Sequence, residues 1–196
     1  MKFCEFMASL QKGDLLCWML SVSCNAQKAL QLLRRQLNDG TKYALSAFLT
    51  SKSGVIFMIK TTISQWMPLE AKTIRQEVFV DEQGFQNEID AIDQTAWHVL
   101  LYVDNQAVAC CRLFPSAKEN TYVLGRLAVR KPYRGKDYGK RIMQEAEKWL
   151  VQRGVQTLEL SAQVRVKTFY ETLGYVASGP EYLDEFCPHI HMEKRL

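Results

Sequence analysis

The chain has 196 residues, 47% of them hydrophobic and 23% charged, with a mean hydropathy of -0.18. That balance suits one globular domain, or one domain plus an extension, and excludes wholesale disorder, collagen and coiled-coil architectures. The formal charge of +4 is uneven: residues 1–57 hold 7 Lys/Arg against 3 Asp/Glu, whereas residues 58–196 hold 18 of each, and so neutral a main body argues against a nucleic-acid partner.

From the N-terminus, the best apolar stretch spans residues 15–24, about half of what a membrane helix needs, so no membrane partner is expected. Glu5 and Asp14 interrupt the basic region that a signal peptide requires. Six cysteines without a CxxC pair are too sparse for a disulfide scaffold, and reduced thiols predict a cytoplasmic protein. Asn25 can cap a helix with Ala26, Leu30, Leu33 and Leu37 as its apolar stripe, which Asn38-Asp39-Gly40 would stop. Because Met58 directly precedes a strand-like run, residues 1–57 are set apart as an N-terminal extension and residues 58–196 as the functional domain.

Within that domain residues 59–66 read as a strand, and Pro68, suited to a first helical position, opens a helix to residue 79 or 80. An irregular acidic stretch follows to about residue 95. Residues 97–103 and 107–114 form a hairpin around Asp104-Asn105, and residues 122–130 make a further strand. The helix of residues 138–153 carries Ile142, Met143, Ala146, Trp149 and Leu150 on one face and stops at Gly154. A strand (155–160), a helix (163–173) ending at Gly174, and closing strands (175–178, 189–194) complete an α/β order, which predicts a mixed sheet with helices packed on it.

The strongest chemical signal is RGKDYGK, residues 134–140, between a strand and a helix. There the first helical N–H groups lack partners and the dipole end is positive, so a phosphorylated ligand is favoured. Residues 126–141 hold seven cations and one anion, Asp137. The spacing is neither GxGxxG nor a P-loop, since Gly135 and Gly139 are four apart and no GK[ST] occurs. Residues 77–93 hold six carboxylates and no cation, which suggests an acidic rim for a cationic reactant at the opposite end of one cleft, or else a solvated loop. Cys187, His189 and His191 alternate, but no fourth ligand accompanies them, and no metal is expected.

RLAVR (126–130), then PYRGKDYGK, a helix, a strand, and AQ with FYETLGY (162–175) together resemble the GNAT superfamily of acyl-CoA-dependent N-acetyltransferases. VFVDEQG (78–84), the acidic run, His98 and HIHM (189–192) are similar to its ElaA-like branch. The resemblance covers residues 58–196 and implies a mixed, mostly antiparallel sheet flanked by helices. It also implies acetyl-CoA as co-substrate, direct attack by a primary amine in a ternary complex, and no metal.

By the same resemblance, the pyrophosphate loop R/Q-x-x-G-x-G/A falls on Arg134, Asp137 and Gly139, with Asp137 replacing the central glycine. Backbone groups of Gly135, Lys136, Tyr138 and Gly139 then hold the phosphates, with the cation Lys140 beside them. Leu127, Ala128 and Val129 offer main-chain groups to the pantetheine arm, and Gln163 stands where many relatives have an asparagine that contacts it. Tyr170 would protonate the departing thiolate, the alternative being a core tyrosine. Glu82, Glu88 and His98 are the candidates for activating a small-molecule or peptide amine. A homodimer is one oligomeric option, and a noncatalytic acyl-CoA-binding regulatory module is the competing reading.

Overall fold

The structure, a computed structural model, describes residues 45–48 and 57–196; the expected helix of residues 26–37 and most of the extension lie outside the described residues. The strands are β1 (Leu45–Phe48), β2 (Phe57–Ser64), β3 (Trp97–Val103), β4 (Gln106–Pro115), β5 (Thr121–Val129), β6 (Thr157–Gln163), β7 (Val176–Asp184) and β8 (Cys187–Arg195). They form one eight-stranded sheet in the order β1-β2-β3-β4-β5-β6-β8-β7. Every neighbouring pair is antiparallel except β5 and β6. Strand β1, which falls inside the stretch set apart as an extension, pairs with β2 through Leu45↔Lys60 to Phe48↔Phe57.

Helices α1 (Leu69–Arg75), α2 (Tyr138–Val151) and α3 (Lys167–Thr172) pack on this sheet. Strand β4 is buried along most of its length because both of its faces are covered. On one side Ile142, Met143, Ala146 and Leu150 of α2 meet Val99, Leu101, Leu113, Leu158 and Met192. On the other, Ala71 and Ile74 of α1 meet Leu100, Cys110 and Ala128. Adjacent Cys110 and Cys111 therefore point into opposite cores as free thiols, and burial pushes the Cys110 thiol up to about 12. Each fully buried aliphatic side chain on α2 contributes about 1.5–3 kcal/mol over exposure. Among the described residues no helix is long and apolar enough to cross a membrane.

Several boundaries differ from expectation for local reasons. Pro68 is the extended residue before α1 (φ -64, ψ 151), not its first helical residue. After Arg75 the helix widens into a π-helical turn over Gln76–Asp81, closed by Glu82 N–H to the Glu77 carbonyl at 3.2 Å. The expected helix of residues 163–173 starts later, because Gln163 is still extended and paired with His189; a 3-10 turn (Val164–Val166) then leads into α3. The expected strand 175–178 continues to Asp184, with an irregularity between Ser178 and Tyr182 that contains Gly179 at φ +75. The hairpin turn matches expectation, with Asp104 and Asn105 both at positive φ.

Candidate active site

Strands β5 and β6 pair in parallel only from Thr121↔Thr157 to Leu124↔Leu160. Beyond that point β5 stays with β4 as far as Val129, while β6 stays with β8 as far as Gln163. A register shift opposite Cys110–Arg112 and a left-handed Arg126 (φ +55) bend β5 there. The strands therefore diverge, and among the described residues the edge of Gly125–Val129 that faces away from β4 has no strand partner. Between them opens a cleft of about 820 Å³.

One end of the cleft is the start of α2. Asp137 precedes the helix in the left-handed conformation (φ +59, ψ +12), and its side chain does not cap it. The first backbone bond across this end runs from Arg141 N–H to the Asp137 carbonyl at 2.9 Å, so the N–H groups of Tyr138, Gly139 and Lys140 precede the helical ladder. A Cβ on Gly139 would lie 3.4 Å from the Phe169 ring and 3.6 Å from Val129, whereas one on Gly135 would meet nothing. Glycine at 139 thus keeps the first turn of α2 close to β5 and α3.

Of the site residues singled out from the sequence, all but Lys136 and His98 line this cleft. The Lys136 ammonium lies 5.4 Å from the centre of the Tyr133 ring. His98 is almost fully buried, with Nε2 3.1 Å from the Asp93 carbonyl, and burial holds its pKa below the ordinary histidine value. Tyr170 is 7% exposed and packs edge-on against Phe169 and Tyr175 at 5.0 and 5.9 Å, so it is a core residue and a cleft residue at once. Burial, with Cys111 nearby, raises its pKa and keeps the hydroxyl protonated. The Gln163 amide donates to Gln83 at 2.9 Å and accepts from Arg165 at 2.8 Å, so its polar atoms already have partners.

The expectation of opposite charges at opposite ends of the cleft does not hold. The acidic and basic segments are paired with each other: Glu77 with Arg130 at 2.6 Å, Glu82 with Arg134 at 2.6 and 2.8 Å, and Glu88 with Arg126 at 3.0 Å. Arg134 hydrogen bonds hold the Glu82 carboxyl below its usual range, which weakens it as a proton acceptor. Glu88 is buried, and burial pushes its pKa up against the pull of Arg126 and Arg75.

Behind Glu88 lies a buried network that the sequence reading missed. Arg75 donates to Glu88 at 2.6 Å and to Asp93 at 2.6 and 3.0 Å, while Arg112 grips Asp90 at 2.7 and 2.8 Å. A signal existed: Arg75 falls on the Ala71, Ile74, Val78 stripe, where a cation requires buried partners. Glu185 was also missed; in the β7–β8 turn it accepts from the N–H groups of Gln86 and Asn87, tying that turn to the acidic loop.

A domain model described as an acetyltransferase (GNAT) domain matches residues 64–196. YyaT of Bacillus subtilis strain 168, an uncharacterised protein, is 32% identical over 132 residues, 65% of this chain and 88% of its own length. The crystal structure of Escherichia coli ElaA superposes with a TM-score of 0.63 at 25% identity, over 70% of this chain and 99% of ElaA. An acyl-CoA N-acyltransferase from Pseudomonas aeruginosa superposes with a TM-score of 0.61 at 27% identity, over 69% and 99% of the two chains. The domain match takes in both walls of the cleft and ElaA shares the sheet that forms it: the chain belongs to the GNAT acetyltransferase family and is ElaA-like.

Proposed function

We propose that the protein transfers acetyl from acetyl-CoA to a primary amine, on a small molecule or a peptide, by direct attack in a ternary complex. The observation that carries this reading is the divergence of β5 from β6 onto the uncapped start of α2. An extended pantetheine arm can take the place of a strand along the unpaired edge of β5, hydrogen-bonded at Leu127, Ala128 and Val129. The pyrophosphate then meets the first N–H groups of α2, a favourable end for an anion. Arg134, Gly135, Lys136 and Lys140 complete that loop.

Main-chain N–H on the β5 edge polarises the acetyl carbonyl, the amine nitrogen attacks its carbon, and Tyr170 gives a proton to the leaving sulfur. The raised pKa of Tyr170 suits it to holding that proton until the C–S bond breaks. The free, buried thiols of Cys110 and Cys111 fit a reducing, cytoplasmic setting.

Two measurements test this. Acetyl-CoA at 100 times its dissociation constant should stabilise the protein by about 2.7 kcal/mol in a thermal shift, with CoA also effective. Thiol release from acetyl-CoA should rise when primary amines are added. ATP shifting the transition while acetyl-CoA does not would overturn the reading.

A further inference from the structure

The expected candidates for activating the amine are engaged elsewhere. Glu82 is clamped by Arg134, Glu88 lies between Arg75 and Arg126, and His98 is buried on Asp93 away from the cleft. His189 differs from all three. It lies on β8, opposite Gln163 of β6 and Tyr182 of β7, is only 6% exposed, and lines the cleft.

Its Nδ1 is 2.9 Å from the Cys187 carbonyl oxygen. A carbonyl only accepts, so Nδ1 carries a ring proton, and in the tautomer that holds only this proton Nε2 presents a lone pair. Nε2 has no hydrogen-bond partner among the described residues. The ring is held from two sides, stacked on Tyr182 at 6.3 Å and edge-on to Phe85 at 6.5 Å.

The ionisable groups around it do not neutralise this arrangement. Tyr182 is bonded to Ser161, Arg165 to Gln163, and Glu185 to the N–H groups of Gln86 and Asn87. Cys187 lies beside it, and Asp184, Glu88, Arg112, Arg126 and Tyr170 are among the ionisable groups that line the same cleft. None of them is ion-paired with His189 among the described residues.

We propose that His189 is the general base of the acetyl transfer, its Nε2 taking one proton from the acceptor's alkylammonium group. The inference rests on the acetyltransferase reading above. The ammonium arrives with three N–H bonds. One proton passes to Nε2, and the lone pair released on nitrogen forms the C–N bond as the C–S bond breaks. A second proton leaves nitrogen as the amide forms and replaces, through solvent, the one that Tyr170 gives to the departing sulfur, which leaves as a thiol. The imidazolium returns its proton to water, so one proton is released per turnover.

The test measures acetyl-CoA-dependent thiol release with an alkylamine, an aralkylamine, a polyamine, an aminosugar and an amino acid, for wild type and His189→Gln. Against the best amine, kcat/KM should fall by about 10²- to 10⁴-fold in His189→Gln, with acetyl-CoA affinity retained and the protein folded at the assay temperature. The acidic limb of the wild-type pH profile, where the base takes up its proton, should disappear, and added imidazole should restore part of the rate. His189→Asn serves as the second variant if His189→Gln melts early. Wild-type kcat/KM with an intact acidic limb in either folded variant overturns the assignment of His189 and leaves the acetyltransferase reading standing. Wild-type protein that binds acetyl-CoA but acetylates none of the amines overturns the transfer reading and His189 with it.

Discussion

At Asp137 the backbone adopts φ +59, where an L side chain is strained by about 1–2 kcal/mol, less for Asp than for most, and a glycine is not. Its carboxylate also stands at the end of α2 proposed for phosphates. Asp137→Gly should therefore raise the melting temperature slightly and leave acetyl-CoA affinity equal or tighter, as calorimetric titration would read. Gly139 is constrained differently: its Cβ position already touches Phe169 and Val129, so the branches of valine must push α2 away from the cleft wall. Gly139→Val should keep the fold and weaken acetyl-CoA binding by about tenfold or more, a loss of ~1.4 kcal/mol. Tyr170→Phe preserves the packing on Phe169 and Tyr175 while removing the hydroxyl. Turnover should drop by about 10²- to 10⁴-fold with acetyl-CoA affinity retained, in a steady-state assay paired with a binding titration.

Between elements, the Glu82–Arg134 pair links the end of the π-helical turn to the loop before α2. Both side chains are more than a third exposed, so the pair contributes at most about 1 kcal/mol. Because Arg134 depresses the Glu82 pKa, that small contribution is present above the unfolded carboxylate range and fades as the pH falls through the folded value. The functional effect should be larger. Arg134 already reaches the Val129 carbonyl through Nε at 2.9 Å, and Glu82→Gln releases the rest of its fork toward an arriving pyrophosphate. Acetyl-CoA affinity in Glu82→Gln should stay equal or tighten, and amine turnover should change far less than in His189→Gln. A parallel titration and rate measurement on the two variants checks both.

Over the molecule, the buried arginine network joins α1, the acidic loop and β4 into the wall behind the cleft. Burial works against the Asp93 carboxylate, but hydrogen bonds from Arg75, the Asp90 N–H and Arg112 outweigh it and hold its pKa well below the carboxylate range. Its contribution is full above the unfolded value near ~3.9 and is lost as the pH falls through the folded one. Glu88, raised by burial, has the opposite sign: it favours the fold at low pH and loses that favour as the pH rises. Asp93→Asn leaves Arg75 short of a buried partner and should cost about 3–5 kcal/mol, or roughly 6–20 °C in melting temperature. Glu88→Gln should cost less at neutral pH, and only Asp93→Asn should soften the fall in melting temperature on acidification. Melting curves across that pH range distinguish the two.

Local chemistry made much of this protein legible from its residues alone. The apolar stripe of α2, the Asp104-Asn105 turn, the stops at Gly154 and Gly174, and the anion-ready junction at residues 134–140 each depend on neighbours a few positions apart. Periodicity and backbone preference act at that range, so element order and the loop could be read directly. The divergence of β5 from β6 could not, because it arises where one strand follows β4 and the other follows β8. Nor could the charge pattern: composition counts six carboxylates in one segment and seven cations in another, but their energy depends on separation in space. Folding brings Glu77, Glu82 and Glu88 onto Arg130, Arg134 and Arg126 across 53, 52 and 38 residues of chain, offsetting much of the charge separation that the bare sequence suggested. The same tertiary packing buried His98 against Asp93 and set His189 at the cleft, a choice between two histidines that depends on which strand borders the opening.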